Sequence, residues 1–321
     1  MSVDLLLTAG IDNVVPTAKR AESLGYDAIW LAELWGNAAP VTLGAIAAET
    51  DEIGLGTAIM NVYSRSPAVL AMTAATLDTV SEGRCKLGLG TSTAKAIEDL
   101  HGMSFTRPAR QAHETIELVR AFLEGEGPVS YDGELFSAAD FPSLETEVPV
   151  YYAALGKANR RIVARLCDGW IPHNIPFSKL QETFAYIEDH LPSDRKPSDI
   201  TVAPYVPAAV ADDPADAQDV IRGHVAYYVG SGEGYRRAVG MKYPERAEQI
   251  QTAWRNGDRA DAAAAVTDEM VGELGVSGTP EQAQSQLTSL LEGVVDRPMV
   301  VIPANASSEC RSDTIEALAP T

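Results

Sequence analysis

Basic residues are scarce in this sequence. It has 25 Lys and Arg residues against 45 Asp and Glu residues, which gives a formal net charge of −20. Such a surface repels the phosphates of nucleic acids and of anionic lipids, so we expect neither as a partner. The acidic residues are spread along the whole chain, as in salt-adapted cytoplasmic proteins. We therefore interpret the charge as a halophilic adaptation to the solvent and not as information about a ligand.

Cysteines and long apolar runs are also scarce. Cys85, Cys167 and Cys310 are too few and too scattered for a disulfide framework or a metal knuckle. The first two lie in apolar segments and are expected to be reduced core residues, whereas Cys310 lies in a polar C-terminal stretch and is expected to be exposed. No apolar run reaches the roughly 18 to 20 residues of a membrane span, and no basic signal region precedes the first strand. We expect a cytoplasmic protein without a membrane partner.

Several catalytic signatures are missing as well. The sequence has no G-x-S-x-G elbow, no H-E-x-x-H metal motif and no G-x-G-x-x-G after its first strand. A hydrolase or an aldolase barrel would need a lysine or a set of metal ligands at the open end of the barrel. Lys157 alone is poor support for such an enzyme. A bound organic cofactor is then the natural source of reactivity.

The segment from residue 53 to residue 92 reads as strand, loop, helix and strand. Residues 53–61 and 85–90 are apolar and glycine-bearing, and the helix between them begins at Pro67. Two buried strands joined by a helix form a right-handed parallel crossover, which carries its function where the strands end. We therefore predict ligand contacts at residues 58–63 and 90–93.

Eight such β-then-α units can be counted along the chain. This pattern favours an α/β fold, a single (β/α)₈ TIM barrel domain over residues 1–321, with a doubly wound open sheet as the alternative. Two insertions are predicted, an irregular hairpin at about 125–147 and a helical insertion at about 212–270. The predicted ligand site is the ring of loops that follow the strands, at residues 8–13, 32–38, 58–66, 90–98, 154–159, 172–177, 210 onward and 303 onward.

Polar residues in these loops suggest specific roles. Glu33 ends the second strand, where a carboxylate can contact a ligand or move a proton, or simply cap a helix. Arg65 could clamp an anion or pair with a surface acid. Residues 90–93 offer backbone N–H groups and hydroxyls for the edge of a ligand, although such loops are often ordinary helix caps.

The segment Leu155-Gly156-Lys157 opens the helix after the fifth strand. A glycine, a lysine and free helical N–H groups make it the best phosphate seat in this lysine-poor chain. His173 follows the next strand and could join this seat, although a lone histidine there is more often structural. The aromatic residues scattered over 227–254 are interpreted as core.

The order of these segments resembles the bacterial luciferase-like superfamily. Within it, the chain is most similar to the deazaflavin (coenzyme F420) dependent oxidoreductases near methylenetetrahydromethanopterin reductase. The resemblance covers most of residues 1–175 and 271–303, and residues 212–270 match nothing that we can place. It is carried by GYDAIWLAE, IGLGTAIMNVYSRSPAVLAMTAATLDTVSEGRCKLGLGTS, LHGMSFTRPARQAHETIELVRAFLEGE, VPVYYAALGKANRRIVARLCDGWIP and LGVSGTPEQAQSQL.

The resemblance implies a flavin-type ring lying against the third strand. Behind that ring the family has a bulge with a non-prolyl cis peptide, which falls here at Ala58–Ile59. The loops at 90–92 and 155–157 match the regions that hold the polar edge and the phosphate of the cofactor. The cofactor-binding residues that we predict are Ala58, Ile59, Asn61, Gly90, Thr91, Ser92, Leu155, Gly156, Lys157 and His173.

The resemblance also implies an activity. Coenzyme F420, with FMN as the alternative, would exchange a hydride at its C5 with a small organic substrate, of which a methylene-tetrahydropterin is one candidate. Glu33 stands where deazaflavin enzymes typically have Asp and is the predicted catalytic residue, while Leu34 replaces a frequent His. An FMN-dependent monooxygenase and a non-catalytic flavin-binding protein are the alternatives. We expect a homodimer or a higher homo-oligomer, because the family commonly dimerises through its early helices.

Overall fold

The computed structural model describes residues 2–8 and 13–320, so most of the loop predicted at 8–13 lies outside the described residues. Its strands are short and largely buried where they belong to the central sheet. They are β1 (Asp4–Leu7), β2 (Ala28–Leu31), β3 (Gly54–Thr57), β4 (Met60–Asn61), β5 (Cys85–Gly90), β6 (Val129–Asp132), β7 (Ser137–Phe141), β8 (Val150–Ala153), β9 (Gly169–Trp170), β10 (Thr201–Val202), β11 (Tyr205–Val210), β12 (Val276–Gly278) and β13 (Met299–Val301).

Helices follow the strands, several of them with proline in the first turn, where its missing N–H costs nothing. They are α1 (Val14–Ser23), α2 (Ala39–Ala47), α3 (Pro67–Val80), α4 (Pro108–Glu124), α5 (Lys157–Leu166), α6 (Leu180–Glu188), α7 (Pro214–Ser231), α8 (Glu233–Val239), α9 (Pro244–Asn256), α10 (Arg259–Ala264), α11 (Asp268–Leu274), α12 (Pro280–Leu291) and α13 (Ser308–Ala317). Within residues 2–8 and 13–320, none of them combines the length and the hydropathy that a bilayer span requires.

The parallel strands close into a barrel. The strands that form the barrel pair in the order β10, β9, β8, β5, β3, β2, β1, β13 and β11, while β12 pairs with β11 and β4 pairs with β5. The strands at the two ends of this order, β10 and β11, are consecutive pieces of one chain segment separated only by Ala203 and Pro204. The sheet therefore closes on itself, which confirms the predicted (β/α)₈ barrel and excludes the open doubly wound sheet.

Alternate residues of the strands point into the barrel and out toward the helices. Leu6, Trp30 and Tyr151 belong to the cluster that fills the barrel, whereas Leu5 and Ile29 belong to the larger cluster between sheet and helices. The rings of Trp30 and Tyr151 meet edge to face with centroids 5.1 Å apart. Because side chains fill the interior, a ligand site has to lie at the mouth of the barrel.

Arg84, in the SEGR stretch of the sequence, forms hydrogen bonds to the segment that leads into β3. Its guanidinium donates to the backbone oxygens of Ala47, Thr50 and Ile53. It thereby satisfies the carbonyl of Ala47, the last residue of α2, and two carbonyls of the segment that leads into β3. Gly83 precedes it with a positive φ of 85°, a conformation that glycine adopts without steric cost.

Both predicted insertions are present. The hairpin of β6 and β7 is antiparallel and lies within the predicted segment 125–147. The helices α7 to α11 form the second insertion, which ends at Leu274 and whose apolar cluster also includes Ala209 of β11 and Cys310 of α13. Sequence reasoning missed β12, which pairs in parallel with the end of β11. Three residues are too few to show a strand period.

The three cysteines are all free and buried. This confirms the prediction for Cys85 and Cys167, and burial raises the pKa of the Cys85 thiol to about 12. The prediction of an exposed Cys310 was wrong. Residues 308–317 form α13, and the Thr314 hydroxyl on its buried side accepts a hydrogen bond from the N–H of Val210.

Candidate functional site

The third barrel strand is interrupted between β3 and β4. Toward β5, Gly56 pairs with Lys86, and the next residue of this strand that pairs with β5 is Met60, opposite Leu89. Residues 57–59 therefore face only residues 87 and 88, which is the arrangement of a β-bulge. Bulges commonly re-aim the backbone beside active sites, so this one identifies the part of the barrel mouth to inspect.

Side chains bridge the gap that the bulge leaves in the ladder. The Thr57 hydroxyl donates to the carbonyl oxygen of Gly88 at 2.8 Å and accepts from the N–H of the same residue at 2.9 Å. The Ala58–Ile59 peptide bond is cis, at the position that the family resemblance predicted. The Tyr205 hydroxyl on β11 donates to the carbonyl oxygen of Ala58. The seventh barrel strand is thus tied directly to the bulge.

Two glycines of β5 face this bulge. A Cβ atom on Gly88 would lie 1.9 Å from the carbonyl oxygen of Thr57, and one on Gly90 would lie 2.7 Å from Cγ1 of Ile59. Both distances are far below a van der Waals contact. The LGLG sequence of β5 is therefore a steric requirement of the bulge beside it.

A cavity of about 530 Å³ opens beside the bulge. Its volume is within the range of small-molecule and cofactor sites. The barrel loops form most of its wall, and residues 231–235 of the helical insertion form the rest. The predicted residues that line it are Ile59, Gly90, Thr91, Ser92, Leu155, Gly156 and His173.

The other predicted cofactor residues lie just outside the lining. Ala58 is buried behind Ile59. The Asn61 side-chain oxygen accepts from the N–H groups of Tyr63 and Ser64, so it stabilises the turn after β4. Lys157 is exposed as the first residue of α5. Their roles toward a cofactor remain predictions.

The start of α5 fits an anionic group. Gly156 precedes the helix, and no side chain caps its first N–H groups. A Cβ atom on Gly156 would meet nothing within 4 Å, so space is open above the helix end. An uncapped helix N-terminus beside a lysine and a cavity is suited to a phosphate.

Glu33 lies away from the cavity lining, in an ion pair. Its carboxylate accepts two hydrogen bonds from the Arg65 guanidinium, at 2.5 and 3.2 Å. It also accepts from the N–H of Ala39 at 3.0 Å, at the start of α2. Arg65 thus has an acidic partner, the second of the two roles considered for it. The geometry of Glu33 is that of a positioning group at the barrel mouth, and its catalytic role stays a prediction.

The ion pair can be tested with a double-mutant cycle. We expect Glu33→Gln and Arg65→Gln each to lower the free energy of unfolding by about 2 to 3 kcal/mol, because each leaves a partly buried charge unpaired. The double variant should lose less than the sum of the two, by at least about 1 kcal/mol. Urea unfolding measures all four proteins. Additive losses would contradict a structural pair, and a loss of hydride transfer that Arg65→Gln does not share would favour catalysis by Glu33.

The structure gathers one histidine and three tyrosines around His173, and sequence reasoning did not bring these residues together. The ring centroid of His173 lies 4.5 Å from that of Tyr205, 4.3 Å from that of Tyr228 and 5.1 Å from that of Tyr235. His224 lies 4.7 Å from Tyr228. Tyr235 lines the cavity, so the prediction that the aromatic residues of 227–254 are core was wrong for this residue.

No sequence period could have revealed this cluster, because its members come from one loop, one strand and two helices. The single signal available was the i, i+4 spacing of His224 and Tyr228, which places them on one face of α7. Burial and the neighbouring His224 lower the pKa of His173 well below its usual value, and burial lowers the pKa of His224 to about 3. Burial raises the pKa of Tyr235 to about 12. The cluster is therefore uncharged near neutral pH.

The sequence matches a family of known proteins. A family model described as luciferase-like monooxygenase matches residues 2–297. The 5,10-methylenetetrahydromethanopterin reductase of Archaeoglobus fulgidus is 30% identical, with 89% of this chain and 88% of that protein covered. The protein of the same name from Methanolobus tindarius is 29% identical, with 91% of this chain and 90% of that protein covered.

The fold also matches a solved structure. The coenzyme F420 dependent tetrahydromethanopterin reductase from Methanopyrus kandleri superposes on this chain with a TM-score of 0.83. The match covers 99% of this chain and 97% of that one, at 23% sequence identity. It supports the barrel architecture described above.

Proposed function

Because the chain belongs to the luciferase-like monooxygenase family, we propose that it is an oxidoreductase that uses coenzyme F420 to exchange a hydride with a small organic substrate. The observation that carries this proposal is the cavity beside the bulge at Ala58–Ile59, with Gly90 facing it. The similar reductase from Methanopyrus kandleri is named for its dependence on coenzyme F420, which supports a deazaflavin over other cofactors. A methylene-tetrahydropterin is one candidate substrate.

The chain's own residues fit such a cofactor. When bound, the deazaflavin supplies a carbon that donates or accepts a hydride. Ile59 and Gly90 would support its flat ring, and the N–H groups of Gly90 to Ser92 would meet the polar edge. Gly156 and Lys157 would hold the phosphate at the start of α5. Residues 231–235 of the insertion cover the cavity and would keep water from the reacting atoms.

FMN is the alternative cofactor, because the matching family is described by its monooxygenases. In that case the same cavity would hold a flavin, and the reaction would be an oxygenation. The two functions differ in the cofactor that the free protein selects.

Titration of the ligand-free protein with F420 and with FMN tests the proposal by fluorescence quenching. We expect F420 to bind at least tenfold more tightly than FMN. Tighter binding of FMN would favour the monooxygenase, and binding of neither would contradict both. Binding of F420 without reduction of the cofactor by any candidate alcohol or reduced pterin would favour a non-catalytic flavin-binding protein.

A homodimer remains our proposal for the assembly. Val41 on α2 is 75% exposed, and Val69, Met72 and Val80 on α3 are between 41% and 53% exposed. Val41, Val69, Met72 and Val80 line one groove between the two helices, and a second copy of the chain would bury it.

Sedimentation velocity tests the assembly. We expect a dimer whose dissociation constant rises at least about 100-fold in Met72→Glu, because a charge would be buried at the apolar contact. Phe141→Glu is the control, since Phe141 is exposed on the hairpin outside this groove. A monomeric wild-type protein, or equal effects of the two variants, would contradict the proposal.

A further inference from the structure

One side of the cavity is formed by uncharged polar rings, which we call the histidine–tyrosine wall. His173, Tyr205 and Tyr235 line the cavity, and His224 and Tyr228 pack behind them. Tyr235 comes from α8 of the helical insertion. The sequence suggested His173 for the cofactor, whereas the other four residues of this wall were not assigned to it.

The two histidines carry polar atoms without a partner. Nε2 of His173 and Nε2 of His224 have no hydrogen-bond partner among residues 2–8 and 13–320. Their side chains are only 6% and 7% exposed. Buried polar atoms in native proteins are almost always hydrogen-bonded, because an unpaired one loses its hydration without compensation. Since His173 lines the cavity, a small rotation of its ring would bring the buried Nε2 to a bound ligand, which would then supply the missing partner.

The hydroxyl of Tyr205 has a defined role at this wall. It donates its hydrogen to the carbonyl oxygen of Ala58, so toward the cavity the oxygen can only accept. A neutral imidazole offers one donor and one acceptor. His173 and Tyr205 together therefore match a ligand group that can both accept and donate a hydrogen bond.

Charge decides which ligand group fits. Within residues 2–8 and 13–320, the cationic side chains that line the cavity are Lys95 and Arg237. Each has an acidic partner, Asp99 at 2.7 Å and Glu233 at 2.9 Å. A carboxylate placed against the wall would be desolvated without a free countercharge. An uncharged hydroxyl or carbonyl group would not incur this penalty.

We propose that His173, Tyr205 and Tyr235 recognise an uncharged hydroxyl or carbonyl group of the substrate, and that His224 and Tyr228 hold His173 in position. This assignment rests on the proposed function, because it places the substrate in the same cavity as the cofactor. It adds a specificity: the group that meets the wall is neutral, and an anionic analogue of the same shape is rejected.

The probes propan-2-ol and L-lactate share a secondary alcohol on a methyl-bearing carbon, and only lactate carries a carboxylate. Imidazole nitrogen NMR suits the protein because it has only five histidines. In the F420-loaded protein we expect propan-2-ol to shift the His173 signal at a concentration at least tenfold lower than lactate. A shift with lactate at equal concentration, or no shift with propan-2-ol, would overturn the proposal.

Variants separate recognition from folding. The His173 variants lack that imidazole signal, so in them binding is followed through the methyl resonance of propan-2-ol. We expect His173→Leu and Tyr235→Phe each to weaken binding of propan-2-ol at least fivefold, whereas His173→Gln, which keeps a polar group near the Nε2 position, retains most of it. His224→Gln should move the His173 signal before any probe is added, as a positioning residue requires. His113→Gln is the matched control, because His113 lies on α4 away from the wall. Equal responses of His173→Leu and His173→Gln would contradict recognition by Nε2.

Repeating these titrations without cofactor distinguishes a failure of the proposed function from a failure of the specificity proposal. If F420 does not quench on mixing, the proposed function fails, but propan-2-ol should still shift the His173 signal of the free protein. If F420 alone shifts that signal and propan-2-ol adds nothing, the wall belongs to the cofactor and the specificity proposal is wrong.

Discussion

Replacing Gly88 by alanine is expected to unfold the barrel. The new Cβ atom would lie 1.9 Å from the carbonyl oxygen of Thr57, which is backbone and cannot rotate away. The bulge would have to move, and with it the two hydrogen bonds between Thr57 and Gly88. We expect a loss of at least about 4 kcal/mol, a large part of the stability of a typical protein. Urea unfolding followed by circular dichroism measures it.

Gly272→Ala is the matched control for this prediction. Gly272 lies within α11, and a Cβ atom there would meet nothing within 4 Å. Alanine should be neutral or stabilise the helix by up to about 1 kcal/mol, because glycine loses more backbone entropy on folding. A Gly88→Ala protein as stable as wild type would show that the bulge does not face β5 as described.

Replacing Gly90 by valine is expected to abolish binding of the deazaflavin. Gly90 lines the cavity, and even a Cβ atom there would lie 2.7 and 2.8 Å from Cγ1 and Cδ1 of Ile59. The obstacle is the end of a flexible side chain, so the barrel can adapt by turning Ile59 toward the cavity. The valine methyl groups would also cover the backbone that we assign to the polar edge of the ring. We expect the F420 dissociation constant to rise at least about 100-fold, or about 2.7 kcal/mol.

Two measurements make this result specific. Unfolding in urea should show that Gly90→Val keeps most of its stability, which separates lost binding from lost folding. Gly127→Val, in the loop before the hairpin, is the control, because a side chain there meets open space. An F420 affinity within threefold of wild type for Gly90→Val would exclude this face of the cavity as the ring site.

Much of the catalytic end of the barrel could be predicted from the chain alone. The apolar runs at 53–61 and 85–90, with a helix between them, indicated a parallel crossover and the strand ends where a ligand would lie. The family resemblance then identified the cis peptide at Ala58–Ile59, which the structure contains. Such features are local, because they depend on apolar residues and glycines that lie close together in the sequence.

Other properties of the site depend on contacts between distant residues. Glu33 and Arg65 were separate candidates along the chain, and only folding makes them one ion pair. Cys310 looked exposed because its neighbours in sequence are polar, yet one side of α13 packs against the barrel. In both cases the partner is supplied by another element, so no local pattern contains the information.

By itself the sequence determined the barrel and its two insertions, because hydrophobic periodicity, proline and glycine act on the backbone within a few residues. The bulged strand at the mouth followed from the resemblance to a known family. Only the tertiary structure decided what surrounds the cavity. It placed Tyr235 of the insertion beside His173 and Tyr205, residues that come from different elements. It also set their charge state, because burial, and not residue type, keeps both histidines of the wall neutral.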